Sequence, residues 1–384
     1  MPLRPFNVHE TGAPSGYMSE FRRCSRHGRN AAERAEEEGV GGGPPHLLPS
    51  PGLLFLLLVL AVPVRATDGF ALPQPGRQFV FPRDHGSHPE FRIEWWYLTG
   101  HLWDAASNRF GFQATFFRTA APRTTNEAAG TPGFGSDQLF LAHMAVSEPA
   151  KGSFLHQERL NREGWDAGAD TNTLRLWNGN WSLEFTDTAS ETLRLRGSVR
   201  GDAAFDLELR PAKPLVVFGT DGVSRKGASP AAVSHYLTSP RLAVAETLTR
   251  DGRVRAVSGQ AWMDHEFSSS QLDAGQVGWD WASIQLHDGR DIMLYRLRLA
   301  DGGSDPHSTL AWVERDGRVR HFGPERFRLE PLARWRSPRT GGDYPLGLRI
   351  TLPAADGAGD LALRLEPLLP DQELPGAIGG VPYW

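Results

Sequence analysis

Short β-prone runs punctuated by Asp-Gly and Asn-Gly dipeptides constrain this chain more than any other feature. Asp-Gly occurs at Asp68, Asp221, Asp251, Asp288, Asp301, Asp316 and Asp356, and Asn-Gly at Asn178. Both dipeptides tolerate the positive φ that a two-residue hairpin turn demands, so β-prone flanks on either side predict antiparallel hairpins. One set of such runs is Ile93 to Leu102, Phe110 to Arg118, Leu139 to Val146, Leu174 to Trp177, Trp181 to Phe185, Leu193 to Val199 and Phe205 to Leu209. A second set is Leu242 to Thr249, Val254 to Trp262, Trp279 to Leu286, Ile292 to Leu299, Thr309 to Val313, Phe327 to Leu329 and Leu346 to Leu352. No long amphipathic helix follows residue 67. Many short strands at hairpin spacing predict an all-β fold, either sandwich or barrel.

The two sets are separated by Pro211 to Pro230, the segment richest in turn formers, which predicts domains over 67–230 and 231–384. A weak internal echo agrees with duplication. Trp95-Trp96-Tyr97 followed by a strand ending at Arg118 resembles Trp279-Asp280-Trp281 followed by a strand ending at Arg298.

Residues 1–66 read as a leader. The uncharged apolar run 52–62 is too short to cross a bilayer, which takes about 20 residues, and it fits a signal-peptide core. Val64 and Ala66 occupy the small-residue positions of a cleavage site, predicting a mature start at Thr67 and a periplasmic or secreted protein. The single cysteine, Cys24, lies before the apolar run, so lipid anchoring after it is not supported and the mature chain is free of cysteine. With 41 Lys plus Arg against 45 Asp plus Glu, the net charge of -4 offers no basic field for nucleic acid.

Two polar-aromatic clusters carry the candidate chemistry. In Arg92-Ile93-Glu94-Trp95-Trp96-Tyr97, strand alternation sends Glu94 and Trp96 to one face and Trp95 and Tyr97 to the other. Glu94 beside large apolar surface is costly to ionise unless paired, so it reads either as an acid of raised proton affinity or as a tie to Arg92 or Arg118. In Trp262-Met263-Asp264-His265-Glu266, Trp262, Asp264 and Glu266 share a face and His265 takes the opposite one. Two carboxyl groups in one environment push their proton affinities apart, which suits one to serve as an acid; an exposed barrel rim would carry the same residues without cost. Asp84, His85, His88, Glu90 and Glu94 match no helix-borne metal spacing and read as loop residues, so no metal is expected. The chain has no P-loop, no dinucleotide glycine fingerprint and no Gly-x-Ser-x-Gly elbow, so no cofactor is expected.

At Ile93-Glu-Trp-Trp-Tyr-Leu-Thr-Gly-His101, Ala261-Trp-Met-Asp-His-Glu266 and Gly278-Trp-Asp-Trp281, the sequence resembles a known family. It is that of the AttH-like, lipocalin-like secreted proteins often labelled predicted secreted hydrolases, related to bacterial carotenoid 1,2-hydratase (hydroxyneurosporene synthase). The resemblance runs from Phe79 to Trp384. It implies two tandem lipocalin-like antiparallel β-barrels, and because the family continues beyond a Tyr-Trp like Tyr383-Trp384, a second barrel lacking its final hairpin. It further implies a site for an extended apolar molecule, a carotenoid, terpenoid or lipid. For the hydratase branch it implies cofactor-free addition of water to an isolated carbon-carbon double bond. Carried over residue by residue, the catalytic candidates are Asp264, His265, Glu266, Asp280 and Glu94, and the ligand-binding candidates Trp262, Trp279, Trp281, Trp96 and Tyr97. One departure matters: the hydratase branch often has Asn after its Asp-His pair, whereas Glu266 follows here.

Two functions remain open at this point. A hydratase would use Asp264 as proton donor, indole faces around the cation, and His265 or Glu266 as base. A non-catalytic carrier would bind the same molecule on behalf of an envelope or transporter partner. Ester hydrolysis is weaker, since Ser268, Ser269 and Ser270 show no nucleophile-base constellation.

Overall fold

The computed structural model describes residues 69–121, 136–270, 272–354, 359–378 and 382–384. The leader, its cleavage site after Ala66 and the turns at Asp68 and Asp356 lie outside the described residues. Strands dominate as expected: β1 (Ile93–Asp104), β2 (Arg109–Ala120), β3 (Gln138–Glu148), β4 (Ser153–Arg162), β5 (Ala167–Ala169), β6 (Arg175–Asn178), β7 (Trp181–Asp187), β8 (Thr192–Val199), β9 (Ala203–Pro211), β10 (Val216–Val217), β11 (Ser224–Arg225), β12 (Val233–Arg250) and β13 (Arg253–Ser268). They continue with β14 (Gln276–Gln285), β15 (Asp291–Leu299), β16 (Thr309–Val313), β17 (Val319–Phe322), β18 (Arg328–Arg336), β19 (Asp343–Pro353) and β20 (Asp360–Leu365).

Strands β1 to β13 form one antiparallel sheet in the order β4-β3-β2-β1-β13-β12-β9-β8-β7-β6-β5, with β10 and β11 added to β12. The sheet curls until its edges meet: Asn161 Nδ2 of β4 donates to Asn178 Oδ1 of β6 at 2.8 Å, and Asn178 Nδ2 donates to the Phe140 carbonyl at 3.0 Å. A nearly closed barrel removes the exposed edges an open sheet would present. Its interior holds Trp96, Leu98 and Leu102 of β1, Phe112 and Phe116 of β2, Met144 of β3, Leu195 of β8, and Leu242 and Met263 of β12 and β13. Where one strand supplies several of them they are an even number of residues apart, as the pleat requires.

The segment expected to divide the domains lies between two strands of this one sheet. β12 and β13 follow it, yet they hydrogen-bond to β9 and β1. They are the longest strands, 18 and 16 residues, joined by Asp251-Gly252 with φ of 53° and 69°. Positive φ at both central residues is the type I′ turn that matches strand twist, and Gly252 fits it without Cβ strain. Packing tolerates no side chain at Gly259 either, where a Cβ would meet the His101 carbonyl oxygen.

Sheets β14-β15-β16-β17 and β18-β19-β20 complete the molecule. The central strands of the four-stranded sheet, β15 and β16, are buried on both faces. Ile292 and Leu294 pack with Ile350, Leu352 and Leu363 of the three-stranded sheet. Met293, Tyr295 and Leu297 pack instead with Val216, Phe218, Tyr236 and Trp262 of the first barrel. The inner halves of β12 and β13 thus serve two compartments, the barrel core on one face and the inter-sheet layer on the other.

Candidate functional site

The pairing of β1 with β13 sets two clusters back to back. Trp96 lies opposite His265 and Tyr97 opposite Asp264, so period-2 alternation puts Glu94, Trp96 and His265 on the barrel face and Tyr97, Trp262, Asp264 and Glu266 on the inter-sheet face.

On the barrel face the Glu94 carboxylate, 1% exposed, is saturated by charged and polar donors. Oε2 accepts from Ser87 Oγ at 2.9 Å, the His88 backbone N–H at 2.9 Å and Arg118 Nε at 3.0 Å. Oε1 lies 2.8 Å from His88 Nδ1 and 2.9 Å from His265 Nε2. Of the two readings open for Glu94, the Arg118 tie is therefore present. Burial pushes the Glu94 carboxyl up, but hydrogen bonds from His265 and His88 and the Arg118 charge outweigh it and hold the group well below the usual range. His88 Nε2 also reaches Asp84 Oδ1 at 2.9 Å. Burial opposes its charge, yet bonds to Asp84 and Glu94 raise it, consistent with an imidazolium between two carboxylates. His265, stacked on Trp96 at 4.7 Å, is pushed down to about 4 by burial. A neutral His265 that donates through Nε2 keeps its Nδ1 lone pair, and Nδ1 has no partner among the described residues.

His88, Glu94 and His265 bring one ligand atom each within 4.8 Å, the spacing of a metal triad. The donor set does not fit a cation. One carboxylate oxygen already bridges both imidazoles, and Arg118 holds a positive charge 3.0 Å from the other oxygen.

The inter-sheet face is built differently. Asp264, 3% exposed, receives only neutral donors: Thr238 Oγ1 at 2.7 Å and Trp262 Nε1 at 2.7 Å on Oδ1, and Tyr236 Oη at 2.8 Å on Oδ2. Trp281 Nε1 donates to Tyr236 Oη at 3.1 Å. Burial pushes the Asp264 carboxyl up to about 7, more than these hydrogen bonds pull it back. A carboxyl group has about four lone-pair sites; three are engaged, so a proton fits on Oδ2. Aromatic rings enclose the group. Trp281 meets Trp262 edge-on at 6.4 Å and Tyr97 edge-on at 5.4 Å, while burial pushes the Tyr97 phenol up to about 12 and Asp264 charge disfavours its ionisation.

Beside it, Lys226 Nζ lies 3.1 Å from Glu266 Oε1, 3.9 Å from the Tyr295 ring centroid and 4.7 Å from that of Tyr236. Burial opposes its charge, but Glu266 holds the ammonium above its ordinary value. Lys226, Tyr236 and Thr238 were not among the residues expected from sequence. Lys226-Gly227 reads as a turn, and Pro240 breaks the alternation of β12, where a bulge separates Ser239 from Leu242. The run Ser234-His-Tyr-Leu-Thr238 does carry β-prone residues, a signal that could have extended the strand.

The remaining candidates sit elsewhere. Trp96 is in the barrel core with Nε1 bonded to the His85 carbonyl at 3.1 Å. Asp280 pairs with Arg296 at 2.9 Å in a pocket between the second and third sheets, lined also by Arg298, Leu329 and Leu348. Trp279 shares the strand face of Trp281 but is 45% exposed. Alternation explains the split: residues 279 to 281 send their side chains alternately to two different compartments.

The AttH-like family profile matches residues 72–384. The structure resembles that of a protein from Nitrosomonas europaea assigned to AttH, at 35% identity and TM-score 0.71, covering 82% of this chain and 92% of that one. It also resembles kievitone hydratase from Nectria haematococca at 15% identity and TM-score 0.56, covering 74% of this chain and 78% of that one, a likeness of fold alone. No curated protein matches the sequence.

Proposed function

This chain belongs to the AttH-like family, and on that premise we propose that it is a cofactor-free hydratase acting on an isolated alkene of an extended apolar molecule, of carotenoid, terpenoid or lipid type. The observation that carries the reading is Asp264, a carboxyl whose burial raises its proton affinity to near neutrality and whose hydrogen-bond donors, all uncharged, do not cancel that rise. Such a group holds a proton at pH 7 in surroundings that could not solvate a free acid.

Water is the one further reactant. The Asp264 carboxyl transfers its proton to one alkene carbon, and the cation formed at the other carbon faces the Trp281 and Trp262 rings. Water adds to that cation, and the proton it sheds returns to the Asp264 carboxylate. His265 has no part in this, since it lies across the strand on Glu94. Glu266 is occupied by Lys226 and tunes Asp264 through its charge. The ligand would enter past Trp279 at the rim.

A carrier reading draws on one specific feature. The three neutral donors on Asp264 would also fix a carboxylate that serves only to organise the sheet. The two readings separate by incubating the purified protein with terpenoid alkenes and following a gain of one water by mass spectrometry. A hydratase gives product that Asp264→Asn diminishes by roughly 10²-fold or more. Binding without product in either protein supports the carrier, working with an envelope or transporter partner. Export is part of the proposal: the protein recovered from the periplasm or medium should begin at Thr67, and recovery with an intact leader in the cytoplasm would reject it.

A further inference from the structure

The row of residues that contains Asp264 continues well past the proposed reaction centre. Thr238, Asp264, Tyr97, Thr115, His143 and Glu158 are successive cross-strand partners on β12, β13, β1, β2, β3 and β4. They share one face of the sheet, the one turned away from the barrel core. At about 4.8 Å per strand, His143 stands roughly 14 Å from Asp264 along this row.

Three polar groups determine the state of His143. Gln113 Nε2 donates to Tyr383 Oη at 2.6 Å, and that hydroxyl lies 2.9 Å from His143 Nδ1. Burial pushes the imidazole down to about 4, with the His156 charge adding to it, so His143 is neutral at pH 7. With Gln113 filling an acceptor site on the phenol, the Tyr383 O–H donates to Nδ1, and the ring proton is left on Nε2. That N–H belongs to a side chain only 1% exposed and has no partner among the described residues. A buried donor without an acceptor is uncommon in a native fold and calls for an explanation. The ring is flanked by Phe117, edge-on at 5.4 Å, and by Tyr383, stacked at 5.7 Å.

We propose that His143 Nε2–H is a recognition donor for an oxygen atom of the ligand. On this view the preferred molecule is an isoprenoid-like alkene bearing a hydroxyl or carbonyl group some 14 Å from the double bond, and a plain hydrocarbon is a poor one. Tyr97 and Thr115 lie between the two stations, and the Tyr97 ring can cover an apolar stretch between the two functional groups. The inference rests on the reading of Asp264 as the reaction centre but is measured by binding, so the two can fail separately.

The test titrates the full mature chain with geranylgeraniol and with the C20 hydrocarbon of the same skeleton lacking the hydroxyl, following quenching of tryptophan fluorescence. The wild type should bind the alcohol about tenfold more tightly, the effect of one hydrogen bond. His143→Phe should equalise the two affinities by weakening the alcohol alone. His143→Gln, which keeps an N–H donor, should retain part of the preference and serves as the variant to rely on if the Phe substitution fails to fold. Equal affinities in the wild type would mean that solvent satisfies Nε2–H, and would overturn the proposal. So would an undiminished preference in His143→Phe. If neither probe binds, the proposal and the apolar-ligand reading both fall; if both bind equally and hydration still depends on Asp264, only the role of His143 is lost.

Discussion

Two carboxylates at almost equal depth, Glu94 on the barrel face and Asp264 on the inter-sheet face, differ in the number and the charge of their partners. Glu94 is met by a guanidinium and an imidazolium, Asp264 by two hydroxyl groups and an indole. Burial raises the proton affinity of both. Five hydrogen bonds, two of them from cations, reverse that effect at Glu94 and three from neutral groups do not at Asp264, so Glu94 is a fixed charge that locks β1 to β2 and β13, while Asp264 can gain and lose a proton near pH 7. The comparison teaches that depth alone does not make an acid; the sign of the surrounding charge decides.

The largest expected effect breaks the lock. Glu94→Gln leaves Arg118 buried without its counter-charge and His88 with Asp84 alone, which should cost about 3–5 kcal/mol in urea denaturation. A loss below about 1 kcal/mol would mean that the network on the barrel face is incidental. The same measurement on Asp264→Asn should give a loss under about 1.5 kcal/mol, because the amide oxygen keeps the Thr238 and Trp262 bonds and the amide nitrogen can donate to Tyr236 Oη in place of accepting from it.

Acidity separates the faces next. A carboxyl raised to about 7 binds a proton in the folded state that the unfolded chain releases above its ordinary value of about 3.9. The unfolded state therefore binds fewer protons between pH 4 and 7, and this group lowers stability with rising pH by up to about 1.4 kcal/mol per unit. Glu94 has the opposite sign: its contribution is present above the unfolded carboxyl pKa and is lost as pH falls through its depressed folded value. His265, held neutral with a value of about 4, also lowers stability as pH falls below about 6.5. Subtracting the Asp264→Asn profile from the wild type should isolate the first slope, and a flat difference from pH 4 to 7 would refute the raised value. Hydration should likewise fall as pH rises through about 7.

A smaller effect sharpens the comparison by adding charge contrast. Lys226→Met removes the cation paired with Glu266, whose attraction to Asp264 favours the ionised form of that carboxyl. The alkaline limb of the hydration profile should move upward by several tenths of a unit or more; no movement would place Lys226 outside the electrostatics of Asp264. The smallest effect is that of Trp281→Phe, which keeps a ring near Tyr97 but deletes the bond to Tyr236 Oη. It should cost about 0.5–1.5 kcal/mol of stability and slow hydration less than Asp264→Asn.

Much of this was legible in the residues, and what was not has a physical cause. Alternation alone places Glu94 and Trp96 opposite Tyr97, and His265 opposite Asp264 and Glu266, because a pleated strand has no other way to arrange neighbours. The Arg118 tie was one of two readings, since a strand pattern does not say which arginine comes within reach. His88 read as a loop histidine, but the loop folds over the barrel core and stacks it on Phe267 at 3.7 Å. Lys226 and Tyr383 were invisible as site residues: one lies in a turn-rich segment and the other at the end of the chain, and both meet the site only through packing between distant elements.

By itself, then, the sequence determined the all-β architecture, the hairpin turns and the face on which each residue of β1 and β13 lies, since all three follow from backbone geometry within a few neighbouring residues. Only the tertiary structure decided that the strand carrying Asp264 joins the first barrel, that the second sheet covers its outer face, and that Glu94 meets cations where Asp264 meets hydroxyls. Those outcomes depend on contacts between segments as far apart as Glu94 and His265. Proton affinity is set by that assembled surrounding and not by the residue type, so the division of labour between the two carboxylates exists only in the folded chain.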